Sequence, residues 1–234
     1  CPALFHYRHH LGLGQFARDT PDAEADATRQ RVPATAIGDV VHQYLCEADF
    51  SLTRADPDVL ARLASQHPAV ATRLHGVLTQ AAESIVNSFL ATPLAAELAT
   101  AKEVLRETPF VLMRQGVTLT GTIDLLYQNS TGDWVLVDYK TDSVRPDEVE
   151  KRAETYRTQL EVYVEAAREF LGPMLKNACL AFLRPGIIWY MKEGTPRKSL
   201  EVLLSRLCQG QFTRRTACTE PCGYRPLCRP PATS

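Results

Sequence analysis

Two aspartates and a lysine, Asp124, Asp138 and Lys140, are spaced so that a β-hairpin would bring their side chains together. Strand-forming residues fill the stretches 117–128 and 134–141, and five turn formers separate them. If those five residues are the whole loop, Asp124 lies directly opposite Asp138, and Lys140 shares their face because alternate side chains of a strand point the same way. Two close carboxylates beside a lysine favour a hard divalent cation held by oxygen ligands. The pattern therefore indicates a metal-dependent hydrolytic site.

The register of this hairpin depends on the length of its loop. A five-residue loop pairs Gln128 with Trp134, whereas a loop one residue different would place Asp124 opposite Val137. Exposed aspartates and lysines are common on hairpins, so the charges alone mean little. The strand from Trp134 onward is apolar on both faces except at Asp138, which predicts a buried central strand. A charge in such a strand normally needs a partner or a metal.

Two further pairs of residues are one helical turn apart. Gly38 and His42 fall in a predicted helix, where a glycine costs about 1 kcal/mol relative to alanine, and a close approach of another backbone or a ligand beside His42 would explain it. A lone histidine is nevertheless more often a capping or packing residue. Gln159 and Tyr163 lie at the edge of a later amphipathic helix, where a glutamine is by itself most often a boundary residue.

The C-terminal segment contains a cysteine trio, Cys218, Cys222 and Cys228. Three thiolates this close are typical of metal ligands, and Cys1 is the candidate for a fourth. One distant cysteine with a clustered trio is closer to iron–sulfur ligation than to the paired knuckles of zinc sites. Zinc and disulfides are the alternatives, and the lack of a visible secretion signal weighs against disulfides. Cys208 could compete as a ligand.

The composition is that of an ordinary globular protein, with 234 residues, 45% hydrophobic and 23% charged residues, and a net charge of −1. Any nucleic-acid binding would therefore depend on local basic patches. No apolar run is long enough for a membrane span, and the N-terminus lacks a signal-peptide layout. Because the first residue is Cys1, we expect the chain to be excised from a longer polypeptide. Cys46 and Cys179 fall in apolar patterns and are predicted to be buried thiols.

The periodicity predicts helices first and strands afterwards. One helix is capped by Thr35, a second begins at Asp56-Pro57, and a third is opened by Pro68 and buries a stripe that includes Val77. A later helix is predicted to bury Phe170. The predicted strands cover 108–113, 117–128, 134–141, 177–183 and 187–191, and the later helices cover 148–171 and 199–207.

Together these motifs resemble the PD-(D/E)xK nuclease superfamily, in particular its RecB-like exonuclease branch, which includes AddA-type and AddB-type nucleases. Its successive motifs are similar to Gly38-x-x-x-His42, Gly121-Thr-Ile-Asp124, Asp138-Tyr139-Lys140-Thr141 and Gln159-x-x-x-Tyr163. Cys1-Pro and the cysteine trio are similar to the split four-cysteine signature of AddB-type and CRISPR-associated members. The run 135–142 is closest to AddA-type helicase–nucleases. The first two cysteines of the trio have three residues between them, where the family pattern has two.

The resemblance implies a single nuclease domain over 1–234 with a restriction-endonuclease-like α/β fold, in which helices flank a mixed central sheet. It would comprise a mainly helical part (1–105), an α/β catalytic core (106–210) and a Cys-rich iron–sulfur tail (211–234). The implied ligands of Mg²⁺ or Mn²⁺ are His42, Asp124, Asp138 and the carbonyl of Tyr139. The implied catalytic residues are Asp124, Asp138, Lys140, Gln159 and Tyr163, and the implied [4Fe-4S] ligands are Cys1, Cys218, Cys222 and Cys228.

The implied function is that of a metal-dependent DNA exonuclease, the C-terminal nuclease part of a bacterial helicase–nuclease in double-strand break repair and recombination. Its substrates would be single strands or duplex ends, its location the cytoplasm, and its partner a larger helicase polypeptide or complex. No helicase motif is present, so any ATP hydrolysis and translocation would lie elsewhere. The alternatives are a non-catalytic nuclease-like scaffold of a helicase complex and a CRISPR-associated stand-alone nuclease. A third alternative is a zinc-stapled interaction domain.

Overall fold

A computed structural model of the protein describes residues 31–192 and 198–209. The helices of the described part are α1 (Ala34–Glu47), α2 (Pro57–Gln66), α3 (His75–Leu90), α4 (Pro93–Leu98), α5 (Val149–Leu171) and α6 (Lys198–Cys208). The strands are β1 (Glu103–Arg114), β2 (Val117–Gln128), β3 (Trp134–Lys140), β4 (Leu175–Phe182) and β5 (Ile187–Tyr190).

Contacts divide the chain into two units. The larger unit contains Arg31–Leu112 and Thr118–Leu200, and the described parts of the smaller one are Met113–Val117 and residues 201–209. In the smaller unit, Gln115 and Gly116 connect β1 to β2, and both have positive φ. Positive φ at both residues is typical of a two-residue hairpin turn. The exposed thiol of Cys208 donates a hydrogen bond to the Gln115 carbonyl at 3.0 Å.

The five strands form one mixed sheet in the order β1-β2-β3-β4-β5. Strands β2 and β3 are antiparallel, β3 and β4 are parallel, and β4 and β5 are antiparallel. Parallel neighbours require a crossover connection, and α5 supplies it between β3 and β4. The predicted pairing of Gln128 with Trp134 is confirmed.

Strand β3 is the buried centre of this sheet, as predicted, because every side chain from Trp134 to Tyr139 is buried. Val135, Val137 and Tyr139 pack into a core shared with α1 and α3, whereas Trp134 and Leu136 pack into a core shared with α5. Helices therefore cover both faces of the sheet. This mixed α/β arrangement is consistent with the restriction-endonuclease-like fold expected from the sequence.

Two predicted helix starts are wrong. Helix α1 begins at Ala34 with Pro33 as its N-cap and no capping side chain, so Thr35 lies inside the helix. Helix α3 begins at His75 rather than after Pro68, because Ala71 is extended (φ −64°, ψ 143°) and a 3-10 turn follows it. The Asp56 cap of α2 is confirmed, since its carboxylate accepts hydrogen bonds from two backbone amides.

Two side chains expected in the core are on the surface. Val77 is 49% exposed and Phe170 is 50% exposed. In α3 the buried face instead follows Leu78, Ala82 and Val86, which are spaced four residues apart. Helix α4 was not predicted, although the Thr92-Pro93 pair has the same cap-then-proline form as Asp56-Pro57.

Among the described residues, no helix combines the length and apolarity that crossing a bilayer requires. The division of the chain into the parts 1–105, 106–210 and 211–234 stays a prediction.

Candidate active site

Helix α1 presents Gly38, His42 and Cys46 at four-residue spacing, and all three line a cleft of about 1310 Å³. A Cβ placed on Gly38 would lie 3.0 Å from the Thr141 hydroxyl, one residue past the end of β3. The sequence predicted close approach by a backbone or a ligand at this glycine. In the structure the side chain of Thr141 makes that approach. Because Gly38 has no Cβ, α1 can lie close enough to bring His42 to the end of β3.

Asp124 lies where the backbone pairing of β2 and β3 ends. The last backbone pair of the two strands is Leu125 with Val137. Beyond it, Asp124 Oδ2 accepts a hydrogen bond of 2.7 Å from the backbone amide of Tyr139. The same oxygen lies 3.9 Å from His42 Nδ1, so a carboxylate from the sheet meets an imidazole from α1.

Asp138 and Lys140 form a buried ion pair at the end of β3. Lys140 Nζ lies 2.5 Å from Asp138 Oδ2. The Asp138 side chain is only 2% exposed and that of Lys140 12%. Desolvation of both groups makes the pairing necessary, because an unpaired charge at this depth would be strongly destabilising.

Helix α5 brings Gln159 and Tyr163 to this ion pair. Gln159 accepts a hydrogen bond from Lys140 Nζ at 3.0 Å and donates to Asp138 Oδ1 at 3.3 Å. Its amide nitrogen also lies 2.9 Å from the Tyr163 hydroxyl oxygen. The predicted motif residues of β3 and α5 therefore form one continuous network, and Gln159 is more than a boundary residue.

Gly121 allows Tyr163 to reach this position. A Cβ on Gly121 would lie 2.9 Å from the Phe110 ring and 3.7 Å from the Tyr163 ring. The two rings pack edge to face with their centroids 5.5 Å apart. A side chain at Gly121 would push Phe110 into Tyr163 and so disturb the contact with Gln159.

Glu107 is a candidate metal ligand that the sequence does not indicate. One carboxylate oxygen of Glu107 lies with single ligand atoms of His42 and Asp124 in a group whose members are all within 4.8 Å of one another. The backbone of Glu107 has φ 46°, an uncommon conformation for a residue other than glycine. No sequence signal marks such a position, since a glutamate just before a predicted strand gives no hint of a left-handed backbone.

Burial controls the electrostatics of the site. Desolvation raises the pKa of Asp124 and that of Asp138 to about 6 each, against the lowering effects of the Tyr139 amide on Asp124 and of Lys140 on both. Burial also lowers the pKa of His42 below its usual value. At neutral pH the Asp124 and Asp138 carboxyls are thus ionised and the His42 imidazole is neutral, and these are the protonation states in which such groups bind a metal.

The donor set fits a divalent cation. Two carboxylates and one imidazole converge within 4.8 Å from three different elements, α1, β1 and β2. Carboxylate oxygens suit Mg²⁺ and Mn²⁺, and an imidazole is acceptable to Mn²⁺. Asp138 does not belong to this converging group, and its carboxylate is paired with Lys140. Its role as a ligand, and that of the Tyr139 carbonyl, stay predictions.

Three of the seven cysteines, Cys46, Cys179 and Cys208, lie among the described residues, and Cys208 is exposed. Cys179 is fully buried, as predicted. Cys46 is only partly buried, and its thiol donates a 3.4 Å hydrogen bond to Glu107, so the prediction of a buried thiol is wrong there. The proposed cluster ligands Cys1, Cys218, Cys222 and Cys228 lie outside the described residues.

A family comparison now defines the class of this protein. A model of the PD-(D/E)XK nuclease superfamily matches residues 1–229. The chain therefore belongs to that superfamily.

Curated relatives narrow the comparison to one type of protein, the A subunit of an ATP-dependent helicase/nuclease. The chain is 30% identical over 161 residues to this protein from Lysinibacillus sphaericus, an alignment of 61% of the chain and 12% of the relative. Proteins of the same name from Heliobacterium modesticaldum (28% over 199 residues, 71% of the chain and 14% of the relative) and Pelotomaculum thermopropionicum (32% over 116 residues, 44% and 9%) also match. The chain thus spans about a tenth to a seventh of the length of these relatives and is a nuclease domain related to one part of them.

Proposed function

We propose that this domain is a metal-dependent DNA exonuclease and the nuclease part of a bacterial helicase–nuclease that processes broken DNA ends in the cytoplasm. The observation that carries the proposal is the convergence of His42, Glu107 and Asp124 within 4.8 Å in an open cleft. The adjacent Asp138–Lys140 ion pair and the membership of a nuclease superfamily support it.

Mg²⁺ or Mn²⁺ is the proposed metal. His42, Asp124 and Glu107 are its proposed side-chain ligands, and Asp138 and the Tyr139 carbonyl complete the set that the family resemblance implies. When bound, the cation supplies Lewis-acid polarisation of the scissile phosphate and a lower pKa for the attacking water.

The protein residues position the other reactants. Lys140 holds a positive charge beside the carboxylates, where it offsets negative charge that develops on the phosphate and orients the attacking water. Gln159 fixes Lys140 and Asp138 relative to each other through hydrogen bonds to both. Tyr163 holds Gln159 in turn. This pre-organisation lowers the barrier because little reorganisation is needed during the reaction.

Two observations support DNA as the proposed substrate, the size and lining of the cleft and the names of the relatives. The cleft has a volume of about 1310 Å³, far more than a metal ion needs, and Arg184 lines it. The relatives are named as the A subunit of an ATP-dependent helicase/nuclease, and a nuclease cleaves nucleic acid. A helicase on the same or a partner polypeptide would deliver the strand to the cleft.

A [4Fe-4S] cluster on Cys1, Cys218, Cys222 and Cys228 is a second proposal, and it is supported only by their spacing in the sequence. Anaerobically purified protein should be brown and contain iron and acid-labile sulfide. A colourless protein that contains zinc would contradict the cluster without affecting the nuclease proposal.

The nuclease proposal is tested by incubating the 234-residue chain with end-labelled single-stranded and duplex oligonucleotides, with Mg²⁺, with Mn²⁺ or with EDTA. We expect metal-dependent release of nucleotides from strand ends and a loss of at least about a hundredfold in Asp124→Asn and Lys140→Ala, since each removes a charge that acts on the transition state. Asp133→Asn in the hairpin turn and Lys176→Ala at an exposed position of β4 are matched controls.

Undiminished cleavage by both site variants would refute the catalytic assignment. Wild-type protein that binds Mn²⁺ and DNA but cleaves neither substrate would favour the non-catalytic scaffold.

A further inference from the structure

We propose that Tyr156 is a positioning residue for Lys140: the face of its ring holds the lysine ammonium in register with Asp138 and Gln159. This inference rests on the proposed nuclease function and deepens it, because it adds a residue outside the four sequence motifs to the machinery around the catalytic lysine.

The contact itself is a cation–π interaction. Lys140 Nζ lies 4.3 Å from the centroid of the Tyr156 ring. An ammonium over an aromatic face is attracted by the ring quadrupole, most strongly where water is largely excluded. The Lys140 side chain is only 12% exposed, so this condition is met.

Helix α5 presents Tyr156 and Gln159 three residues apart on one face. The ammonium of Lys140 therefore has two contacts from α5, the Tyr156 ring and Gln159 Oε1 at 3.0 Å, and one from its own strand, Asp138 Oδ2 at 2.5 Å. A lysine has four rotatable side-chain bonds, and three contacts restrict it to one position far better than a single ion pair would.

The ring is itself held in place by a closed polar triangle. The Tyr156 hydroxyl donates to Asp142 Oδ2 at 2.7 Å and accepts from Arg152 Nη2 at 2.9 Å. Arg152 binds the same carboxylate through two hydrogen bonds of 3.0 and 3.1 Å. The guanidinium carbon of Arg152 also lies 5.0 Å from the ring centroid. Asp142 follows Lys140 by two residues, so the triangle fastens the chain just beyond β3 to α5.

This arrangement separates the role of the ring from that of the hydroxyl. Tyr156→Phe keeps the aromatic face but loses the hydrogen bonds to Asp142 and Arg152. Tyr156→Leu loses both. If the ring holds Lys140, phenylalanine should preserve the function that leucine removes. Phe170→Leu is the matched control, because Phe170 is an exposed aromatic residue on the same helix.

The first measurement is steady-state cleavage of a single-stranded oligonucleotide in Mn²⁺. For Tyr156→Leu we expect kcat to fall about tenfold, which corresponds to ~1.4 kcal/mol of barrier, with KM and the Kd for Mn²⁺ within about twofold of wild type. Tyr156→Phe should stay within about threefold of wild-type kcat. In a Lys140→Met background, Tyr156→Leu should cause no further loss, because the two residues act through one contact.

The second measurement needs no catalysis. The rate of acylation of Lys140 by an amine-reactive ester, followed by peptide mass spectrometry, should rise severalfold in Tyr156→Leu and stay near the wild-type rate in Tyr156→Phe and Phe170→Leu. An unchanged rate in Tyr156→Leu would overturn the proposal, as would a kcat in Tyr156→Phe as low as that of the leucine variant. Inactive wild-type protein would refute the nuclease function alone, since the acylation result would still decide the positioning role.

Discussion

The carboxylate of Asp124 accepts a hydrogen bond from the backbone amide of Tyr139 at 2.7 Å. The side chain of β2 thereby satisfies a donor of β3 just past the last backbone pair, Leu125 with Val137. Asp124 therefore has two tasks, since it closes the sheet at this end and faces His42 as a candidate ligand. The link explains why the end of β3, which carries the ion pair of Asp138 and Lys140, is fixed beside the cleft.

The two tasks of Asp124 can be separated by substitution. Asp124→Asn keeps an oxygen for the Tyr139 amide but removes the charge, whereas Asp124→Ala removes both. At about pH 4, where the Asp124 carboxyl is protonated, we expect Asn to keep near wild-type stability without metal and Ala to lose about 1–3 kcal/mol, the usual result of leaving a buried donor unpaired. Both should lose most of their Mn²⁺ affinity. Urea unfolding and calorimetric Mn²⁺ titration measure the two effects, and equal stability of the two variants would contradict the structural task.

The free energy of unfolding should depend on pH because the two buried carboxyls have raised pKa values. Burial raises the pKa of Asp124 and that of Asp138 to about 6, from an ordinary value of 3.8. The folded state thus binds these protons more tightly than the unfolded state, and the stability they contribute is complete below about pH 4 and lost as the pH rises through about 6. His42 has the opposite sign, because its lowered pKa disfavours the folded state at low pH.

The measurement is the difference in free energy of unfolding between wild type and the Asp124→Asn, Asp138→Asn double variant, taken without metal from about pH 4 to about pH 8. The subtraction cancels groups that do not interact with these two carboxyls. Because Asp138 also affects the pKa of His42, both proteins carry His42→Gln. We expect the protein with both aspartates to lose about 2–4 kcal/mol relative to the variant across this range. Saturating Mn²⁺ at about pH 7.5 should raise the free energy of unfolding of the protein with both aspartates but not of the variant, because the metal binds the ionised carboxylates. A flat difference would mean that the carboxyls are not desolvated.

The hairpin was predictable from sequence because its information is local. Turn formers fix the loop between Gln128 and Trp134, and the apolar character of β3 on both faces marks it as central. The helical pattern alone does not distinguish Gln159 from a boundary residue. The resemblance to the family motif is what predicts a role for it in the site. The ion pair follows from the two-residue spacing of Asp138 and Lys140 on one face of β3.

The features that could not be predicted from the sequence depend on contacts between elements that are distant in the chain. Glu107 reaches His42 and Asp124 from β1 through a left-handed backbone residue, and no local pattern encodes that geometry. The start of α3 was misplaced because Pro68 permits a helix but the extended Ala71 prevents it. Helix propensity is weak, and tertiary packing decides between such alternatives.

Substitutions at Gly38 measure how much stability the protein gives up to pack α1 closely against Thr141. In a helix interior, alanine is favoured over glycine by about 1 kcal/mol, but a Cβ here would lie 3.0 Å from Thr141 Oγ1. We expect Gly38→Ala to gain little stability and to reduce Mn²⁺ affinity and cleavage severalfold, because α1 and His42 must shift. Adding Thr141→Ala removes the hydroxyl and should release the full gain of about 1 kcal/mol while restoring Mn²⁺ binding. Gly76→Ala, where a Cβ meets nothing within 4 Å, is the control for helix propensity.

Glu107 offers a direct test of whether the site stores backbone strain. Its φ of 46° costs a non-glycine residue roughly 1–2 kcal/mol, a cost that glycine avoids. Glu107→Ala and Glu107→Gly both remove the carboxylate, so they should lose Mn²⁺ affinity to the same extent, about tenfold or more. They should differ in stability, with glycine higher than alanine by about 1 kcal/mol in urea unfolding. Glu103→Gln, an exposed glutamate on the same strand, should change neither property. If alanine and glycine unfold alike, the left-handed conformation carries no strain, and if Mn²⁺ affinity survives in both, Glu107 is not a ligand.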